Sequence, residues 1–129
     1  LHIADATAHR LQADGVTRVG LLGTRFTMEQ DFYKGRLQER FGLEVLVPDD
    51  AARERVHRII YDELCLGDIR ESSQAEYLAI IADLAQAGAQ AVILGCTEIA
   101  LLVGACQAAV PLYDTTAIHA EAAVTLALA

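Results

Sequence analysis

The chain has 129 residues, 53% hydrophobic and 22% charged, with a formal net charge of −8 and a pI near 4.8. That length suits one domain with a sizeable core, and the acidic balance excludes a phosphate-backbone partner, which needs a basic stripe to displace counterions. No stretch approaches the roughly 18 consecutive apolar residues of a bilayer span, so neither nucleic acid nor membrane is an expected partner.

Cys65, Cys96 and Cys106 make an odd set without C-x-x-C spacing, which fits a reducing compartment and a cytoplasmic location better than a disulfide framework. The opening "LHIADATAHR" lacks a basic n-region, an apolar h-region and an initiator Met, so the expectation is a piece of a longer chain rather than a signal peptide.

In chain order, a helix over about Ile3 to Gln12 ends before Gly15, and "RVGLLG" follows as a continuously apolar, buried strand. Gly23 marks the turn. The next helix opens at "TMEQ", where Thr27 caps and Gln30 reaches back, with Phe32, Leu37 and Phe41 on its apolar face. "LEVLV" reads as a second strand stopped by Pro48. Asp49 or Asp50 then caps a helix from about Ala51 to Leu66 that Gly67 ends. A further helix runs from about Ser73 to Ala87 with Leu78, Ile81, Ala82 and Ala85 at helical spacing. "AVILG" is the next strand, "CTEIALLV" a short helix, "VPLYD" the last strand, and a closing helix starts at about Thr116. Short strands alternating with longer helices predict an α/β fold, an open parallel sheet flanked by helices on both faces.

Ligands in such sheets bind beyond the carboxyl ends of the strands, and Cys96 stands at one of those ends. Helix N–H groups at Thr97 and Glu98 favour a thiolate there, while the Glu98 carboxylate opposes it. Free cysteine is also among the most buried residue types, so packing alone is a competing account of Cys96. A second exit, "GTRFT", offers the Thr24 and Thr27 hydroxyls and helix amides as a cradle for a small anion, without P-loop spacing. At a third, "YDTTAIHAE", Asp114, Thr115 and Thr116 read as helix caps, with His119 close behind. The four histidines, His2, His9, His57 and His119, show no H-x-x-x-H spacing, so no catalytic metal is expected. Lys34 lies on a helix near the anion cradle.

Taken together, "LHIAD", "VGLLGTRFTMEQDFYKGRL", "IIYDELCLG", "VILGCTEIALL" and "VPLYDTTAIHAEAAV" resemble, in order, segments of the aspartate/glutamate racemase family, and are most similar to its bacterial broad-specificity members. The resemblance implies a cofactor-independent, two-lobed enzyme in which each lobe contributes one cysteine and the amino acid's α-carbon lies between two thiols. This chain matches the second lobe. Residues 1–110 are the expected catalytic lobe with its leading helix. Residues 111–129 are the expected closing strand and helix, packing on an N-terminal lobe outside this sequence, with an apolar face that promotes association, including a homodimer.

Within that resemblance Cys96 matches the second catalytic cysteine, and Thr97, Thr24 and Thr27 match substrate-binding positions. Glu98 replaces the histidine of the glutamate racemases' GCTH-type motif, which points to the aspartate or broad-specificity side. Where aspartate-selective members often carry a lysine this chain has Cys65, and Lys34 would supply that cation if its helix faces the cleft. No segment matches the first lobe's Asn-Thr-containing cysteine motif. Three other functions stay open: a related hydantoin racemase, an arylmalonate-type decarboxylase that needs one cysteine, and a non-catalytic domain that binds a small carboxylate.

Overall fold

The computed structural model describes residues 3–29, 34–95, 97–103 and 108–128. The apolar runs of the sequence form four strands, β1 (Arg18–Leu22), β2 (Glu44–Leu46), β3 (Ala91–Leu94) and β4 (Leu112–Asp114). All pair in parallel, in the order β2-β1-β3-β4. Between and around them lie α1 (Ile3–Ala13), α2 (Arg25–Glu29), α3 (Lys34–Phe41), α4 (Asp50–Asp62), α5 (Glu71–Gln86), α6 (Thr97–Val103) and α7 (Thr115–Leu128). The expected α/β class is the observed one. Among the described residues no helix is long and apolar enough to cross a membrane.

Strand alternation divides the core between the two faces of the sheet. Val19, Leu21, Val45, Ala91 and Ile93 pack with Leu11 of α1 and Leu37 of α3. On the other face Leu22, Val92 and Leu94 meet Val56, Ile59 and Ile60 of α4, Tyr77, Ile81 and Leu84 of α5, and Ile99, Leu102 and Val103 of α6. Both central strands are therefore apolar on both sides, which is why their sequences run apolar without alternation. At their amino ends the Gln90 side-chain oxygen accepts the Thr17 and Arg18 amides at 2.7 and 3.0 Å. Helix α7 packs along α1, where Arg10 pairs with Glu121 at 3.3 Å.

Several boundaries differ from the sequence expectation. Thr27 does not cap the second helix. Thr24 does, accepting the Thr27 amide on Oγ1 at 3.3 Å and the Met28 amide on its carbonyl at 3.1 Å. The cap moves because Thr24 directly follows Gly23 at the strand exit, so the chain turns helical at once. Gln30 and Phe32 lie outside the described residues, with α2 and α3 described on either side of them. Asp49 is the residue that caps α4, accepting the Ala52 amide at 2.9 Å.

Helix α4 stops at Asp62 rather than Leu66. The chain then tightens into a 3-10 turn over Leu64–Leu66, closed by Gly67 at φ 78°. Helix α5 begins at Glu71, not Ser73, with the Glu71 carboxylate favourable beside the helix N-terminus. Ser73 is buried and its hydroxyl donates to Glu63, so it ties α5 to the end of α4 instead of capping.

Candidate functional site

With the order β2-β1-β3-β4, the chain leaves β1 toward one edge of the sheet and β3 toward the other. The β1/β3 pair is therefore the topological switch point, and the region beyond its carboxyl ends is where ligands bind in open sheets of this kind. Two glycines follow these strands. The Gly95 amide donates to the Leu22 carbonyl at 2.7 Å. A Cβ on Gly95 would lie 2.9 Å from that carbonyl oxygen and 3.2 Å from Thr27 Cγ2, and one on Gly23 would lie 3.0 Å from Thr27 Cβ. Thr27 thus packs over both exits at once, which brings "GTRFT" and the residue preceding Cys96 together. Cys96 itself and Cys106 lie outside the described residues, as does the Thr97 side chain.

The cradle at the first exit is built from hydroxyls. Thr24 and Thr27, both half-buried, approach each other at 3.2 Å between their Oγ1 atoms. Two of the helix amides at this exit are already taken. The Arg25 amide donates to His57 Nδ1 of α4 at 2.9 Å, and the Thr27 amide donates to Thr24. The first N–H groups of a helix have no partner within it, and here a cap hydroxyl and a histidine supply partners for two of them. Met28, fully buried, anchors the same helix in the core.

At the second exit α6 starts at Thr97 and carries Glu98, half-buried, in its first turn. The helix is fixed from below by buried Ile99, Leu102 and Val103, and at its end by Gln74, whose side-chain amide donates to the Leu102 carbonyl at 2.8 Å. The third exit joins the second. Buried Thr115 donates its hydroxyl to the Leu94 carbonyl at 3.2 Å, while Asp114 accepts the Thr116 and Ala117 amides at 3.0 and 3.4 Å as the cap of α7.

Lys34 opens α3 and is half-buried. Among the described residues no hydrogen bond or ion pair joins it to Thr24 or Thr27, whereas its neighbour Arg36 is held by Asp5 of α1 through two 2.8 Å contacts. Cys65 is exposed on the turn after α4. Two participants escaped the sequence reading. His57 was one of four scattered histidines, and a side chain accepting a remote backbone amide leaves no spacing signature. Thr115 was visible as a capping type, but its bond to Leu94 depends on the β3–β4 pairing. No group of three or more His, Cys, Asp or Glu side chains converges among the described residues.

Comparison with known proteins adds a family and a length. The family model described as Asp/Glu/hydantoin racemase matches residues 1–123. Over the whole chain the fold superposes on a Yersinia pestis protein provisionally described as an Asp/Glu racemase, with a TM-score of 0.96 and 58% identity. It also superposes on an aspartate racemase homologue from Pyrococcus horikoshii, with a TM-score of 0.90 and 36% identity. The chain covers 56% of each of those two proteins. The fold is shared, at 22% identity and a TM-score of 0.68, with the Picrophilus torridus aspartate racemase, over 95% of this chain and 52% of that one. An uncharacterised protein encoded in the pnlA 3′ region of Pectobacterium carotovorum is 35% identical over 104 residues, 80% of this chain and 67% of that protein.

Proposed function

This chain belongs to the Asp/Glu/hydantoin racemase family, and from that premise we propose that the longer protein containing it racemises a free amino acid without a cofactor, with Cys96 as one of two acid/base thiols. The observation that carries the reading is the junction of the β1 and β3 exits. The Gly95–Leu22 hydrogen bond and the packing of the Thr27 methyl against Gly95 bring Thr27 to the residue that precedes Cys96.

The reaction is a two-base 1,1-proton transfer. One thiolate takes the α-proton as the C–H bond breaks. The electron pair stays on the α-carbon and its carboxylate, and the opposite thiol gives a proton to the other face. An α-proton beside a carboxylate is weakly acidic, so the developing charge requires preorganised donors. Thr24 and Thr27 supply hydroxyls for the substrate carboxylate, Thr97 binds the carboxylate or amino group, and Glu98 lies within the same first turn of α6. Lys34 is the cation proposed for a substrate side-chain carboxylate. The second thiol belongs to the part of the protein outside this sequence, so the chain contributes half of a site.

The test is proton NMR in D₂O on the full-length protein, following α-hydrogen loss from both enantiomers of aspartate, glutamate and several neutral amino acids. Exchange is expected, and in Cys96→Ser it falls by about 10²-fold or more, because a serine hydroxyl without an activating base is a poor proton acceptor. Retained exchange in that variant overturns the reading. The family description also names hydantoins, whose ring α-carbon undergoes the same proton transfer. A 5-substituted hydantoin therefore belongs in the panel, and exchange confined to it would move the substrate class.

A further inference from the structure

Helix α2 carries Thr27 and is capped by Thr24, and it packs on α4, so contacts with α4 help fix the cradle. One of these is unusual in kind. The backbone amide of Arg25, the first residue of α2, donates to His57 Nδ1 at 2.9 Å. That bond requires a lone pair on Nδ1, which only an imidazole with its proton on Nε2 alone provides. Protonation places an N–H where the acceptor was, and two donors then face each other.

We propose that His57 is a positioning residue that holds the Thr24–Thr27 cradle in place through the Arg25 amide, and that its protonation loosens substrate binding in acid. The inference rests on the racemase reading for its substrate, while the His57–Arg25 contact stands on geometry alone. Several charged groups on α2, α4 and α5 are paired with one another. Arg25 of α2 forms an ion pair with Glu54 of α4, and Glu54 also accepts from Arg58 at 2.9 Å. Tyr61 stacks obliquely on the ring at 4.7 Å between centroids. On the α5 side Arg55 is held by Glu76 at 2.6 Å. In the turn that closes α4, Glu63 accepts from Ser73 and Cys65 is exposed. Protonation of the imidazole removes the acceptor on which the Arg25 contact depends.

The consequence falls on binding before chemistry. Without its Arg25 partner the first turn of α2 loses one of its anchors, so Thr24 and Thr27 meet the substrate carboxylate less often in the right geometry. KM rises while kcat, set by the thiols, changes less. Asparagine is the diagnostic replacement, because its side-chain oxygen accepts the same amide and does not titrate.

The experiment measures α-hydrogen exchange kinetics of the full-length protein from about pH 5.5 to 8, in wild type, His57→Asn and His57→Ala. It also follows hydrogen exchange at the Arg25 amide in the same samples. Wild type is expected to show a KM rise of about fivefold toward acid, the loss of one hydrogen bond. His57→Ala has the high KM throughout, and His57→Asn restores the low KM and flattens its acid rise. The Arg25 amide is protected at the upper pH and loses protection toward acid in wild type alone. A wild-type KM that is flat with pH, or an acid rise that persists in His57→Asn, overturns the proposal. A wild type with no exchange on any substrate overturns the racemase reading, and the role of His57 in binding falls with it. The Arg25 amide then reports separately whether the contact itself switches.

Discussion

Gly95 has no room for a side chain, and the obstacle is backbone. A Cβ there would sit 2.9 Å from the Leu22 carbonyl oxygen, the same atom that accepts the Gly95 amide, so relief requires the β1 and β3 exits to separate. Gly20 is crowded differently. Its Cβ would meet the tip of Leu84 at 2.9 Å and a Val92 methyl at 3.1 Å, and the Leu84 tip can rotate away. Gly95→Ala is therefore expected to cost about 1–3 kcal/mol and Gly20→Ala clearly less, read from urea midpoints of the two variants. Equal losses would mean that β1 and β3 yield as easily as a leucine rotamer. The sequence marks "GCTEI" as a strand exit, because an apolar run ending in glycine before a helical pattern is a local signal. What Gly95 touches is a carbonyl on another strand, and no local pattern records it. The same limit applies to His57, and to Thr24, where the residue type was legible as a cap or turn former but the choice between Thr24 and Thr27 was not.

At the scale of elements, most of the fold was legible because the two central strands are apolar on both faces and α4 and α5 carry apolar residues at helical spacing. Boundaries were less so. The ends of α4 and α5 are set against each other by the Ser73–Glu63 contact and the 3-10 turn, which neither segment announces alone. A similar tie links β4 to α1. The Tyr113 hydroxyl donates to Asp14, just past the end of α1, at 2.5 Å. Burial, the hydrogen bond to Asp14 and the Asp14 charge push the Tyr113 pKa up to about 12, against a small opposing effect of Arg10. The raised value means that the folded protein holds the phenol proton after the unfolded chain has released it. The contribution to stability is thus complete below the ordinary tyrosine value near pH 10, and is lost as pH rises through about 12. Tyr113→Phe should cost about 0.5–1 kcal/mol near neutrality, below the usual range for a hydrogen bond to a charged group because the pair is partly solvated. Melting temperatures taken upward from about pH 9 should fall more steeply in wild type than in the variant. Parallel curves would show that the phenol has no special proton affinity in the folded state.

On the scale of the whole molecule, the two sides of the sheet are separate clusters of side chains that share the backbone of β1 and β3. Leu21 and Ile93 point to the α1/α3 side, while Leu22, Val92 and Leu94 point to the α4/α5/α6 side. The strand exits that build the candidate site belong to that shared pair, so disturbance of either cluster reaches the site through the same two strands. Leu37 of α3 is fully buried in the first cluster and Ile81 of α5 in the second. Leu37→Ala leaves a cavity on one side only and is expected to remove about 2–5 kcal/mol. If the central strands make both sides one cooperative unit, the slowest-exchanging amides of β1, β3 and α5 lose protection together, by about 30-fold to 5 × 10³-fold as that loss implies. Native-state hydrogen exchange on the full-length protein carrying Leu37→Ala decides the matter. Faster exchange confined to α1, α3 and β2, with α5 unchanged, would mean that the α1/α3 side opens by itself and that the β1–β3 junction is held from the α5 side alone. Loss shared by α5 would make the junction the structural centre of the molecule, with Gly95 and Thr27 on the seam that both faces stabilise.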